Sequence, residues 1–180
     1  YAPGDSETTL LVSKSLSKPL AAIAVGRAIA LGNIRSLNQP ISDFLSELSG
    51  TQKGRILIRH LLDMRSGMLH QGFSTDPDHP YNRAFLDENF GERIIDSYPM
   101  IAEPGTLYSY ANAPADLLGM VLERATGRRY VEFISSEVLK PLGAHGGEIW
   151  VGKPEGLAHS GCCAKLPAET FLRLAILLLD

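Results

Sequence analysis

One long segment most constrains the fold of this chain. From Ser15 to Leu31 the sequence has a helical pattern in which small and branched apolar residues occupy most positions. Pro19 falls in the first turn, where a missing N–H group costs little, and Gly32 follows as a C-terminal cap. Most faces of such a helix are apolar, with Arg27 as the exception. The pattern therefore predicts a central helix that other elements nearly surround.

Frequent glycine and proline residues divide the rest of the chain into short elements. The hydrophobic patterns predict about seven helices in all and very little strand. Further helices are expected at 41–48, 58–64, 83–98, 113–125, 130–139 and 167–179, extended pieces at 9–12, 107–110 and 148–151, and a long loop at 68–82. The prediction is thus a mostly helical chain of 180 residues, enough for one domain.

Charge and hydropathy argue against two classes of function. The net charge is −3 and no basic run is longer than Arg128-Arg129, so nucleic-acid binding has little electrostatic support. The apolar runs are far shorter than the roughly 18 residues of a transmembrane helix. Because the chain does not begin with methionine, we expect an upstream segment to be missing. A cytoplasmic and a periplasmic or secreted location therefore both stay open.

The chain has two cysteines, Cys162 and Cys163. Adjacent cysteines rarely bond to each other because the disulfide strains the intervening peptide, so we expect no disulfide here. Their spacing fits no metal site. The cluster of Asp76, Asp78 and His79 also lacks the spacing of metal ligands, so the sequence predicts no metal and no cofactor.

Ser15 and Lys18 are the first candidates for chemistry. Residues three apart on a helix share a face, so a lysine that is neutral for part of the cycle can accept the proton of the serine hydroxyl. A position at the helix start also favours negative charge that develops on a bound substrate. Such a short motif often arises by chance. The alternative is that Ser15 caps the helix and Lys18 lies in solvent.

Tyr110-Ala111-Asn112 is the second candidate, and it is equally weak by itself. In a functional interpretation, the tyrosine relays a proton and the asparagine holds the lysine or a substrate amide. The alternative is a packed tyrosine followed by Asn112 as the N-cap of the helix that starts at Ala113.

Five ordered blocks resemble the serine β-lactamase-like hydrolases. That superfamily includes class C β-lactamases, D-alanyl-D-alanine carboxypeptidases, related esterases and 6-aminohexanoate-dimer hydrolase. The blocks are 1–18, with Tyr-Ala-Pro-Gly and Ser-Leu-Ser-Lys; GNIRSLNQPISDFL at 32–45; IRHLLDMRSGM at 58–68; PGTLYSYAN at 104–112; and LLGMVLERATGRRYVEFISSEVLKPLG at 117–143. The first and third blocks favour the 6-aminohexanoate-dimer hydrolase branch.

The resemblance implies an α+β parent fold, with a helical domain beside an antiparallel sheet and its flanking helices. It also implies an acyl-enzyme hydrolase of amide or ester bonds. Ser15 would be the acylated nucleophile, Lys18 its proton acceptor or relay, and Tyr110 the general base or the acid toward the leaving group. Asn112 would contact Lys18 or the substrate. The partner would be a small molecule: a β-lactam, a D-Ala-terminated peptide, a short-chain ester or an ω-amino-acid oligomer.

The sequence departs from the family at its third motif. Nothing matches Lys-Thr-Gly, and His145-Gly146-Gly147 follows the Pro-Leu-Gly block so closely that we expect a turn rather than a His-x-Gly strand. The two cysteines stand where relatives have a glycine-rich stretch. We therefore expect one partial domain over 1–180 that lacks sheet strands at both ends and has weak or no turnover alone. Its expected parts are a nucleophile helix at 15–32, a mainly helical part at about 33–145, and a return to the α/β part at 146–180.

Two rival functions stay open at this point. One is a penicillin-binding sensor that is acylated without turnover, or a catalytically silent homologue or fragment; the other is a helical interaction module. Among the remaining residues, His60 is expected to pack or to cap a helix, and His70 and His79 to be solvated in a loop. Trp150 either lines the cleft or is buried. The oligomeric state is left open.

Overall fold

The computed structural model of this chain describes residues 4–70, 75–144 and 146–179. Within these ranges the α-helices are α1 (Ser17–Ala30), α2 (Ile58–Leu62), α3 (Pro80–Phe85), α4 (Phe90–Asp96), α5 (Ala113–Thr126), α6 (Tyr130–Ile134) and α7 (Ala168–Leu177). Two strands, β1 (Leu10–Val12) and β2 (Lys165–Pro167), form an antiparallel pair. The prediction of a mainly helical chain with little strand is confirmed for the described residues.

Helices α1 and α5 pack against each other and form the centre of the core. Helix α5 has Pro114 in its first turn and ends at Gly127, whose φ of +66° is a left-handed conformation that glycine adopts without strain. Its buried residues include Leu117, Val121 and Leu122. Because Lys18 lies in the first turn of α1, Ser15 lies just before that helix and Asn112 lies just before α5, this packing brings together two segments that are distant in sequence.

Helix α1 is buried on one face only, so the prediction of a nearly surrounded helix is wrong in this structure. The buried stripe contains Leu20, Ala24 and Ala28, whereas Ala22 and Gly26 on the opposite face are exposed. Small side chains carry little apolar surface, so exposing them costs little free energy. Composition alone therefore overstated how much of this helix is covered.

The two-stranded sheet fixes the approach to α1. In the register of the pair, Leu10 lies opposite Pro167 and Val12 opposite Lys165. Since β1 ends one residue before the turn that contains Ser15, pairing with β2 anchors that turn against the segment just before residue 165. The predicted strand at 148–151 is present only as isolated bridges from Glu148 to Lys165 and from Val151 to Ala158.

Several predicted helices are shorter or broken. Two 3₁₀ turns, Ile41–Asp43 and Ser46–Leu48, replace the predicted helix at 41–48. The predicted helix at 83–98 starts earlier, at Pro80, and is interrupted between α3 and α4. At the interruption Asp87 Oδ1 accepts the Asn89 N–H at 2.8 Å, an Asx turn that competes with helical hydrogen bonding.

Two further helix ends differ from the predictions. Helix α2 stops at Leu62, and Met64 has a φ of +55°, which an α-helix cannot contain. After α6, residues Ser135–Leu139 form a π-helical turn rather than continuing the α-helix. Among the described residues, no helix is long and apolar enough to cross a membrane.

Candidate active site

Ser15 lies in a 3₁₀ turn, Lys14–Leu16, directly between β1 and α1. Contacts on both sides hold the turn: the Ser13 N–H donates to the Ala164 carbonyl at 2.7 Å, and the Cys163 N–H donates to the Lys14 carbonyl at 3.1 Å. The hydroxyls of Ser13 and Ser17 are 2.6 Å apart beneath the turn. Ser15 itself is exposed, so its hydroxyl is accessible to a substrate.

Lys18 follows one helical turn after Ser15. Its Nζ donates to Ser15 Oγ at 3.2 Å, to Asn112 Oδ1 at 2.6 Å and to the Gly161 carbonyl at 2.6 Å. An ammonium group has three donors, and these three acceptors use all of them. Asn112 and Gly161, both distant in sequence, therefore hold the lysine in place beside Ser15.

Tyr110 contacts Ser15 from a segment that is distant in sequence. Its phenol donates to Ser15 Oγ at 2.7 Å, and its ring centroid lies 5.0 Å from Lys18 Nζ. Partial burial would raise the pKa of the phenol, but the hydrogen bonds with Ser15 and Lys18 and the charge of Lys18 outweigh it and leave that pKa below the usual range. The tyrosinate form therefore becomes accessible at lower pH than for a free tyrosine.

The segment before Tyr110 is tied to the residues after α2. The Gly105 N–H donates to the Arg65 carbonyl at 2.7 Å, and the Ser109 N–H donates to the Met64 carbonyl at 2.8 Å. Beneath Gly105 lies the ring of His60, whose Nδ1 accepts the Leu57 N–H at 3.2 Å. His60 thus has the packing and capping role that was predicted. The hydrogen bonds of Gly105 and Ser109 to the residues after α2 fix the position of the segment that carries Tyr110.

Asn112 is buried at the start of α5, but it does not cap that helix. A side chain caps from extended backbone, whereas Asn112 has helical φ and ψ of −82° and −40°. Its Oδ1 instead accepts from Lys18 Nζ. The capping alternative is therefore wrong, and the structure brings together all four residues singled out in the sequence, Ser15, Lys18, Tyr110 and Asn112.

A family model described as Beta-lactamase matches residues 6–165. The chain belongs to the beta-lactamase family. Its sequence is 32% identical over 172 residues to esterase EstB of Burkholderia gladioli, a match that covers 86% of this chain and 43% of that protein. It is 26% identical over 190 residues to 6-aminohexanoate-dimer hydrolase of Paenarthrobacter ureafaciens, with 100% and 47% covered.

Solved structures show the same fold. A class C beta lactamase from Rhodobacter sphaeroides matches with a TM-score of 0.73 at 22% identity, covering 97% of this chain and 52% of that one. The predicted family and the predicted β-lactamase-like fold are confirmed. The chain spans less than half the length of the two relatives named above.

Three residues of this beta-lactamase-family chain complete the surroundings of Lys18 and were missed in the sequence. The loop residue Gly161 supplies a carbonyl to Lys18 and donates its N–H to Asp116 Oδ1 at 2.9 Å. Asp116 Oδ2 accepts from the Tyr81 phenol at 3.1 Å. One signal pointed to this network: Asp116 follows Asn112 by four residues in a helix that is otherwise largely apolar.

The two cysteines correct a prediction. Cys162 and Cys163 are joined by a disulfide bond in this structure, although adjacent cysteines were expected to stay unbonded. The loop turns sharply here, because Cys163 has a φ of +71°. It is held in place by the Cys163 N–H, which donates to the Lys14 carbonyl, and by the Ala164 carbonyl, which accepts from the Ser13 N–H. The bonded pair lies next to Gly161, so it forms part of the loop that contacts Lys18.

The minor candidates have local structural roles. His79 Nδ1 accepts the Tyr81 N–H at 3.1 Å and so caps α3 rather than lying free in a loop. Asp76 accepts the Asp78 N–H, and Asp78 pairs with Arg83 at 2.7 Å. Trp150 is partly exposed and stacks on His159 with ring centroids 4.4 Å apart.

The third-motif candidate is described only in part. Gly146 and Gly147 have φ values of +75° and +130°, which glycine adopts readily. His145 lies outside the described residues, as do Tyr1 to Pro3 of the first block and 71–74 of the predicted loop.

Proposed function

We propose that this chain carries the nucleophile end of a serine hydrolase site that cleaves ester or amide bonds through an acyl-enzyme. The observation that carries the proposal is that Ser15 Oγ has both Lys18 Nζ and the Tyr110 phenol within hydrogen-bonding distance, at 3.2 and 2.7 Å. A serine is a weak nucleophile until a neighbouring base takes its proton. Two candidate bases at one hydroxyl support a nucleophile better than they support a packed serine.

In the proposed reaction, the Ser15 hydroxyl loses its proton to neutral Lys18 or to the tyrosinate of Tyr110 as its oxygen attacks the substrate carbonyl. The proton then passes to the leaving alcohol or amine as the bond to the carbonyl carbon breaks. Water attacks the resulting ester of Ser15, which releases the acid and restores the hydroxyl. In this proposal the N–H of Ser15 donates to the oxyanion that forms, as the resemblance to the family implies.

Asn112 and Gly161 hold Lys18 rather than react. Both accept from Nζ at 2.6 Å, so they fix its position relative to the serine. Next to Lys18 a pocket of about 260 Å³ is lined mainly by apolar residues, including Pro19, Leu62 and Met64. Such a pocket suits an apolar part of a small ester or amide. The relatives named esterase and 6-aminohexanoate-dimer hydrolase put short-chain esters and ω-amino-acid amides ahead of β-lactams and D-Ala peptides.

The test is hydrolysis by the complete reading frame that encodes this chain, with p-nitrophenyl esters and 6-aminohexanoate dimer as substrates. We expect turnover with a burst that reports the acyl-enzyme, loss of both in Ser15→Ala, and full retention in the control Ser46→Ala, whose exposed side chain lies away from the site. A burst without turnover would indicate a protein that is acylated and not regenerated. Unchanged hydrolysis in Ser15→Ala would overturn the proposal.

A further inference from the structure

Asp116 is a buried acid in an apolar setting. It is 0% exposed and lies on α5 among buried residues such as Leu117 and Ala113. A carboxylate in such a place is expensive unless hydrogen bonds satisfy its oxygens. The hydrogen-bond partners of Asp116 therefore indicate which structural role the buried carboxylate has.

One of the two partners of the carboxylate leads towards the site. Oδ1 accepts the N–H of Gly161, and the carbonyl of the same residue accepts from Lys18 Nζ. Asp116 thus bonds the N–H of one loop residue, and Lys18 bonds the carbonyl of the same residue. Oδ2 accepts from Tyr81, whose ring is fully buried.

The loop is fitted closely onto α5 at this point. A Cβ added to Gly161 would lie 3.1 Å from Asp116 Oδ1 and 3.1 Å from the Asn112 carbonyl oxygen, which is tighter than ordinary contact. One residue earlier, the Ser160 hydroxyl donates to the Ala115 carbonyl at 2.8 Å. The loop therefore approaches α5 with little space for a side chain, and Asp116 holds the N–H of the residue whose carbonyl faces Lys18.

We propose that Asp116 is a positioning residue: it fixes the N–H of Gly161, and thereby the placement of that residue, so that the Gly161 carbonyl keeps Lys18 Nζ aimed at Ser15. The proposal rests on the proposed function, because it assigns Lys18 a role in activating the serine. The carboxylate also places a negative charge close enough to Lys18 for the two groups to attract each other. Protonation of Asp116 removes this charge and weakens the grip on Gly161.

The surroundings make that protonation accessible near neutrality. Burial raises the pKa of Asp116 to about 7, against the opposing effects of the Gly161 and Tyr81 hydrogen bonds and of the Lys18 charge. The other titratable groups that interact with it are the phenols of Tyr98 and Tyr130, both of which have pKa values above the usual range because they are buried. Since these phenols stay neutral, the only cation that faces the carboxylate among the described residues is Lys18.

The test uses the full-length protein and Asp116→Asn, which keeps an oxygen for the Gly161 N–H but removes the charge. The first readout is the rate of Ser15 labelling by a fluorophosphonate probe between pH 5 and 9. At pH 8 we expect the labelling rate of the variant to be roughly 10- to 100-fold below that of the wild type, the equivalent of one hydrogen bond to a charged group. The wild-type rate should fall in a step near neutrality as Asp116 gains a proton, and the variant should lack this step. Tyr130→Phe is the control, since it changes a buried phenol that does not bond Gly161 in the described structure.

The second readout does not need activity. In protein labelled with ¹³C at lysine Cε, the Lys18 signal, assigned by its absence in Lys18→Arg, should show a step near pH 7 that disappears in Asp116→Asn. A wild-type labelling rate in Asp116→Asn, or a Lys18 step that persists there, would overturn the proposal. If Ser15 is not labelled even in the wild type, the proposed function fails, and the Lys18 step alone decides the role of Asp116.

A second variant covers the case in which Asp116→Asn does not fold. Tyr81→Phe removes the hydrogen bond that lowers the pKa of Asp116 and leaves the contact with Gly161. We expect the Lys18 step to move to higher pH in this variant. A step at the wild-type pH would contradict the proposal.

Discussion

The Tyr110 phenol donates to Ser15 Oγ at 2.7 Å, although 95 residues separate the two in the chain. The turn between β1 and α1 presents the serine, and the segment that hydrogen-bonds to residues 64–69 presents the tyrosine. Neither segment needs to move for the contact to form. The proposed nucleophile, Ser15, is therefore already in contact with the phenol that would relay its proton.

Removal of this phenol should slow acylation without unfolding the protein. Tyr110 is 42% exposed, so Tyr110→Phe removes little packing. We expect the rate of labelling by a fluorophosphonate to fall by about 10²- to 10⁴-fold, the usual contribution of general acid–base catalysis. The exposed Tyr108→Phe is the matched control and should label at the wild-type rate.

The pH profile of the same reaction provides a second check on Tyr110. Because its pKa is lowered, the tyrosinate forms below the pH at which a free tyrosine ionises. The wild-type labelling rate should therefore rise on an alkaline limb that begins below pH 10, and Tyr110→Phe should lack that limb. An identical limb in the variant would assign it to another group.

Lys53 should make stability depend on pH. Its Nζ donates to the carbonyls of Ile94 and Ile95 at 2.7 and 2.5 Å, and burial lowers its pKa to about 8 against the opposing charge of Asp96. Above pH 8 the native state loses this proton, whereas the unfolded chain keeps it until about pH 10.5. The unfolded state then binds more protons, so the free energy of unfolding rises with pH across this window, by on the order of 2 kcal/mol.

Urea denaturation at pH 7.5, 8.5 and 9.5 measures this effect. Lys53→Met should flatten the rise, while Lys140→Met, a substitution of an exposed lysine, should leave it unchanged. A free energy of unfolding that stays constant or falls with pH in the wild type would show that Lys53 is not buried as described.

Two glycine substitutions should have opposite effects on stability. Gly67 has a φ of +79°, and an added Cβ would lie 2.3 Å from the Ala102 carbonyl oxygen, so Gly67→Ala should destabilise the fold by about 2 kcal/mol or more. Gly26 is exposed within α1 and has open space around it. Gly26→Ala should stabilise by about 0.5–1 kcal/mol. Thermal unfolding of the two variants beside the wild type tests both signs, and a stabilised Gly67→Ala would contradict the described turn.

The cysteine pair can be tested by mass spectrometry. If Cys162 and Cys163 are bonded, iodoacetamide should modify neither in the unfolded protein without reductant and both after reduction. Cys162→Ser gives the reference, since its remaining cysteine should be alkylated without reductant. Alkylation of both cysteines in untreated protein would show that the loop holds free thiols.

The sequence predicted the parts of the site that depend on local spacing or on ordered blocks. Ser15 and Lys18 are one helical turn apart, Tyr110 and Asn112 form a second short motif, and only the resemblance to the family gave either motif weight. The bond between Asp116 and Gly161 was not predictable in this way, because it joins residues 45 apart and depends on how one loop lies on α5.

The errors in the fold have a similar origin. Apolar periodicity continues through 83–98, but the side chain of Asp87 offers the backbone a turn that competes with the helix. Asparagine is a preferred residue type at a helix N-cap, yet the side-chain oxygen of Asn112 accepts from Lys18 instead of capping α5. In both cases a specific polar contact replaced the structure that the local sequence favours. Hydrophobic patterning gives no information about such contacts.

The central claim is that Ser15 is the residue that becomes acylated. The most direct measurement is peptide mapping by mass spectrometry of the full-length protein after reaction with a fluorophosphonate probe. The account predicts a single adduct on Ser15, absent from Ser15→Ala and present at the wild-type level in Ser46→Ala. An adduct on a different serine, or equal labelling of Ser15→Ala, would contradict it.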